Sequence, residues 1–119
     1  MEPVSTAMIA ALGMLTEKAV LDAYGGLKSL LVKKFGARSE LVATADALEK
    51  HPDSAGRRET LKEEITAARA DADDEIVAAA QALIEAIRSQ PGGEQTINQT
   101  VTGDHNIFSA TGNVTVNRS

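Results

Sequence analysis

Asp104, His105 and Ser109 are the residue types of a hydrolytic set, an acid, a base and a nucleophile, and they fall within six residues of one another. Hydrolysis needs those groups held at fixed geometry by a rigid frame, and here they share one polar, Gly- and Asn-rich stretch with nothing to fix them. The chain therefore reads as a non-enzyme. Asp71, Asp73, Asp74 and Glu75 could suggest calcium, but the spacing lacks the glycine and the distal glutamate of an EF-hand loop. Acids in that order suit the start of a helix, where negative charge meets the positive end of the dipole. The absence of cysteine removes thiolate metal sites, disulfides and thiol catalysis, and no cofactor is expected. The glycosylation triplets Asn98–Thr100 and Asn113–Thr115 follow simply from richness in Asn and Thr. Nucleic acid is not an expected partner, because the net charge is −5 and the aromatic residues are only Tyr24, Phe35 and Phe108.

Two other groups of residues carry chemistry of a physical kind. The first is apolar and cationic. From Ala7 to Leu15 the run includes Met8, Ile9, Leu12, Met14 and Leu15, so apolar groups point around most of a helix circumference. Lys28, Lys33, Lys34 and Arg38 follow, with no acid between Asp22 and Glu40. Such a pair of segments can lie in an anionic membrane interface, each cation near the surface contributing about 1 kcal/mol. Helix-end electrostatics favour a different reading, a central core helix whose last-turn lysines answer the negative end of the dipole.

The second group is the tail. Of 12 Lys and Arg and 17 Asp and Glu, only Arg118 and Asp104 fall after Glu94. Residues 95–119 are short Thr- and Asn-rich runs punctuated by glycine. Ile97, Gln99 and Val101 alternate with Thr96, Asn98, Thr100 and Thr102 at strand period. Gly103 to Asn106 reads as a turn, Ile107 to Thr111 as a second strand including Phe108, Gly112 and Asn113 as another turn, and Val114 to Asn117 as a third strand containing Val116. A weakly charged polar β-segment without proline suits strand stacking between chains, with Asn and Gln ladders adding to the backbone ladder. It has too few apolar residues to fold alone.

The elements that would position these groups are helical up to Gln90. Helical spacing predicts a first stretch from Ser5 to Phe35, through Met8, Leu12, Leu15, Ala19, Ala23, Leu27, Leu30 and Leu31, with Gly25 and Gly26 able to kink it and Gly36 to end it. A second helix runs from Ser39 to Lys50 on Leu41, Ala45 and Leu48, ended by His51 and Pro52. A third begins near Ser54 on Leu61, Ile65 and Ala68. The fourth starts at Asp71–Glu75 and buries Ile76, Ala80, Leu83 and Ile87. Pro91, Gly92 and Gly93 then read as a flexible joint. The expected fold class is mainly α: an antiparallel bundle of three or four helices over 1–90, a linker at 91–94, and a β-assembly segment at 95–119.

The stretch Thr100 to Val116 resembles the C-terminal amyloid signalling motifs of bacterial immune and cell-death proteins, which are similar to the RIP homotypic interaction motif of animals. Gly103 and Asn106 keep the motif's glycine, two residues, asparagine spacing, and Gly112 and Val114 match further on. Thr100, Val101 and Thr102 depart from it, since the animal motif places glutamine between aliphatic residues there. The resemblance implies templated β-stacking, a nucleotide-binding receptor with a matching motif as partner, and an attached helical domain, called Bell in bacteria, that acts on membranes. It implies antiphage or cell-death signalling by a cytoplasmic protein recruited to the inner face of the cell membrane.

In that reading Ile97, Val101, Ile107, Val114 and Val116 pack a dry interior while Asn98, Gln99, Asn106 and Asn113 face their own copies, and Phe108 belongs to the same self-assembling segment. Clustering then exposes the Ala7–Leu15 helix, with Lys28, Lys33 and Lys34, to membrane lipid. The alternative is a constitutive homo-oligomer held by a β-prism or β-helix of tails, with no toxic activity. Both require self-association. The N-terminal apolar run is too short to span a bilayer, and Glu2 stands where a secretion signal would be basic, which favours the cytoplasm.

Overall fold

Gly13, and not the Gly25–Gly26 pair, breaks the first helical stretch. In the computed structural model, which describes residues 3–101, α1 spans Pro3–Leu12. Two successive turns follow: the Met14 N–H donates to the Ala11 carbonyl at 2.8 Å and the Glu17 N–H to the Met14 carbonyl at 3.0 Å. α2 starts afresh and runs over Lys18–Phe35, straight through Gly25 and Gly26. Each interior glycine costs about 1 kcal/mol, so glycine content alone cannot place the break. Burial decides it. Val20, Tyr24, Leu27 and Leu31 are all buried, at spacings of four, three and four, and only an unbroken α2 puts them on one face. Gly25 and Gly26 lie on its exposed side. The restart also shifts the phase of the stripe, leaving Ala19, expected inside, exposed.

α3, α4 and α5 follow the sequence reading closely. α3, Glu40–Lys50, buries Leu41, Val42, Ala45 and Leu48, and the Ser39 hydroxyl caps it by accepting the Val42 N–H at 3.2 Å. α4, Ala55–Ala68, is capped in the same way by Ser54, which accepts from Arg57, and buries Leu61 and Ile65. Arg69 takes a left-handed conformation, a short 3₁₀ turn covers Ala70–Ala72, and α5 occupies Asp74–Arg88. The acidic cluster is thus split, with Asp71 before α5 and Asp73 as its N-cap. Ile76, Ala80, Leu83 and Ile87 are all buried, at the same spacing as the stripe of α2. α5 packs against both α2 and α1, while α3 packs against α4 and α2.

α1 sits inside this assembly. Every residue from Val4 to Ala11 is buried, against α5, α4 and α2. The hydroxyl residues Ser5 and Thr6 are included, and both are engaged by partners within the fold. No charged residue occurs from Pro3 to Thr16, which is what permits burial on all sides.

Beyond α5 the structure corrects the sequence reading. Residues 93–101, here α6, are helical, where the period-two alternation predicts a strand over Thr96–Thr102. Gly93, Thr96, Ile97 and Thr100 fall on one helical face and are buried or half-buried. That second, helical pattern coexists with the alternation, and burial of Ile97 in the core selects it. The supposed joint is a tight turn. The Gln90 N–H donates to the Ile87 carbonyl at 3.0 Å, the Gly93 N–H donates to the Gln90 carbonyl at 2.9 Å, and Gly92 has φ +78°. A Cβ on Gly93 would collide with the Ile87 carbonyl oxygen. Among the described residues there is no strand. The strands expected at Ile107–Thr111 and Val114–Asn117, and the turns at Gly103–Asn106 and Gly112–Asn113, lie outside the described residues.

Because nothing lies within 4 Å of a Cβ added at Gly25 or Gly26, Gly25→Ala and Gly26→Ala should each stabilise the bundle by about 1 kcal/mol in urea unfolding. A kink there would make the same changes destabilising. Leu27→Ala, at a fully buried position, should cost about 3 kcal/mol in the same assay.

Candidate functional site

The apolar groups singled out in the sequence are covered or partly covered by the bundle, and two of the three cations, Lys28 and Lys34, are already paired. Met8 is 1% and Ile9 8% exposed. Leu12, Met14 and Leu15 are half-buried and packed on the core. Thus the apolar set is fully covered at Met8 and Ile9 and partly covered from Leu12 to Leu15.

Two of the three candidate lysines are locked. Lys28 pairs with Asp46 and, at 2.6 Å, with Glu49 on α3. The Tyr24 hydroxyl donates to the same Glu49 oxygen at 2.8 Å. Partial burial pulls the Lys28 ammonium down, but its hydrogen bonds to Asp46 and Glu49 outweigh that and leave it above its ordinary value. Burial, and then the bond to Glu49, pushes the Tyr24 phenol up, so it stays a neutral donor. Lys34 reaches the start of α5, meeting Asp73 at 2.9 Å and Glu75 at 2.8 Å. Its hydrogen bonds to Glu75 and Asp73 raise it. In return, Lys34 holds both carboxyls below their usual range, and the Ile76 N–H, which donates to the Asp73 cap at 3.0 Å, lowers Asp73 further. Lys33 is exposed and makes no ion pair among the described residues. Lys28 therefore ties α2 to α3, and Lys34 ties α2 to α5.

The spacing of the basic stretch signalled positive charge but could not show which acids would fold against it. Asp46, Glu49, Asp73 and Glu75 come from other helices, and only the tertiary fold brings them within reach. For Asp73 the sequence signal was present in another form, as negative charge at a helix start.

A cleft of about 330 Å³ separates the C-terminal end of α1 from α6. Ile9, Leu12 and Gly13 line one wall, Thr96, Gln99 and Thr100 the other, with Pro52 and Asp53 from the turn between α3 and α4 and Arg58 from the first turn of α4. The Arg58 guanidinium donates twice to the Pro52 carbonyl, at 3.0 and 2.8 Å. Of the tail residues proposed for self-assembly, Ile97 is buried, Asn98 and Gln99 are exposed, and Val101 is 43% exposed. Gly103, Asn106, Ile107, Phe108, Gly112, Asn113, Val114 and Val116 lie outside the described residues, as do Asp104, His105 and Ser109.

This is a helical bundle built around an uncharged N-terminal helix, and the family comparison gives that arrangement a context. The model of the Het-E N-terminal domain matches residues 1–119. The chain belongs to the Het-E N-terminal domain family. Its domain is a helical one associated with heterokaryon-incompatibility and cell-death signalling proteins, which gives this chain a coarse place in signalling. Neither a curated protein nor a solved structure matches it. Among the described residues of this Het-E N-terminal domain no helix is long and apolar enough to cross a membrane.

The Lys34 lock gives a signed pH dependence. Asp73 and Glu75 titrate below their ordinary values of 3.8 and 4.5 in the folded chain. Their contribution is therefore complete above those values and is lost as pH falls through the lowered ones. Urea midpoints measured between about pH 6 and pH 2 should fall on the acid side, with a modest part of the fall due to this solvent-screened pair. Lys34→Met should flatten that limb, and an unchanged acid limb would show that the lock does not act in solution.

Proposed function

We propose that this Het-E N-terminal domain is a cell-death signalling effector whose C-terminal residues assemble with identical copies and whose α1 acts on membrane when it leaves the bundle. The observation that carries the reading is the burial of α1 from Val4 to Ala11. A helix that is apolar all round is unfavourable in water, so outside this bundle its natural solvent is lipid. At 10 residues it is about 15 Å long, half the thickness of a hydrocarbon core. It would lie in the interface rather than cross it. Lys33, exposed on α2, would then meet anionic headgroups.

Assembly would rest on Asn106, Asn113, Ile107, Phe108, Val114 and Val116, with Gly103 and Gly112 at the turns, stacked in register between chains. A receptor bearing a matching segment would supply the template. Gathering many bundles raises the local concentration of α1, so that helices too short to act singly act together. A second reading is a constitutive closed oligomer held by the tails; its lack of toxic activity would suit a bundle whose described residues expose few large apolar side chains, Leu21, Val32 and Val101.

Dye release from anionic vesicles, read beside electron microscopy, separates the readings. The effector should form growing filaments and release dye. Val114→Pro, which removes a ladder donor, should abolish both and leave the thermal transition of the bundle unchanged. A fixed mass by light scattering with no dye release would favour the closed oligomer and end the effector reading.

A further inference from the structure

α6 is built in a way that a purely structural helix is not. Four of its nine residues, Thr96, Ile97, Thr100 and Val101, are β-branched, the class that loses most side-chain freedom in a helix. The hydroxyls of Thr96 and Thr100 bond back to the carbonyls of Gly92 and Thr96, at 3.0 and 2.9 Å, a pattern that weakens and bends helices. Ile97 is its one large apolar anchor in the core, and Thr96, Gln99 and Thr100 face Ile9, Leu12 and Gly13 across an open cleft of about 330 Å³, so α6 covers that end of α1 without packing closely on it. Its docking depends on a turn that only glycine fits, since Gly92 has a positive φ and Gly93 abuts the Ile87 carbonyl.

We propose that α6 is a detachable strap over the C-terminal half of α1, the weakest-held element of the bundle, whose release uncovers Ile9 and Leu12. The same residues carry the period-two alternation of Ile97, Gln99 and Val101, so α6 cannot lie on the bundle and extend into a strand at once. Occupancy of the two states is exclusive, and anything that draws 95–101 into extended pairing unstraps α1. The strap is a property of the bundle by itself; its coupling to membrane action rests on the function proposed above.

Gly93→Ala tests the strap without altering α1. In the full chain, at a concentration where it is monomeric and without lipid, amide exchange followed by mass spectrometry should accelerate at least tenfold over both 93–101 and Val4–Leu12, with α2 and α3 unchanged. Faster exchange over 93–101 alone, with Val4–Leu12 as in the parent, would overturn the proposal. Should Gly93→Ala fail to fold, Asn98→Ala acts in the opposite direction. Asn98 is exposed, and alanine there favours the helix, so exchange over both segments should slow about twofold. No change over Val4–Leu12 in Asn98→Ala would equally overturn it. A variant that shows the coupled exchange yet releases no dye from vesicles after assembly would refute the membrane reading and leave the strap standing.

Discussion

A charge-free helix that is apolar on every side has to be covered on every side, and that requirement organises this chain. Apart from the buried hydroxyls of Ser5 and Thr6, α1 has nothing polar in its side chains with which to meet water, and α5, α4 and α2 enclose it. α5 can do so while also packing on α2 because it carries a second set of half-buried apolar residues, Val77, Ala79, Ile84 and Ala86, beside its fully buried stripe. The ion pairs made by Lys28 and Lys34 hold the enclosing helices in place from outside. They are partly exposed, and exposed pairs contribute modestly. Apolar burial holds the bundle together, and the lysines add a link from α2 to α3 and another from α2 to the start of α5.

Much of this was legible in the sequence wherever one signal stood alone. The stripes Leu41, Ala45, Leu48 and Ile76, Ala80, Leu83, Ile87 are buried as their spacing indicates, because helices with one apolar face and polar flanks leave no competing register. Legibility failed where two signals coincided. Between Ser5 and Phe35 three glycines compete to break one helical pattern, and only the packing of Val20 and Tyr24 against the core shows that Gly13 is the break. Around Ile97 a strand period and a helix period overlie the same residues, and a tertiary contact chooses between them. The cationic stretch of α2 gave its sign but not its partners, since acids from distant helices were needed to show that Lys28 and Lys34 are locks.

Membership of the Het-E N-terminal domain family places the chain among helical domains of cell-death signalling, and the physical reading offers a reason for such a domain to be helical. A bundle can hold an apolar helix in water at the cost of a modest, separable set of contacts, and so can surrender it when those contacts are lost. The strap proposed for α6 adjoins the segment proposed to assemble. Control of α1 release and assembly would then use one continuous stretch of sequence, from Gly92 onward.

Met8 offers a native reporter for the central claim that α1 is stored in the bundle and surrendered on assembly, because it is 1% exposed while Met14, just beyond the end of α1, is half-buried. Oxidation of both by dilute peroxide can be followed by mass spectrometry, before and after assembly and in the absence of lipid. Met8 is expected to react far more slowly than Met14 in the monomer and to approach the rate of Met14 once the chains assemble. Met8 that stays protected in the assembled protein would contradict the account.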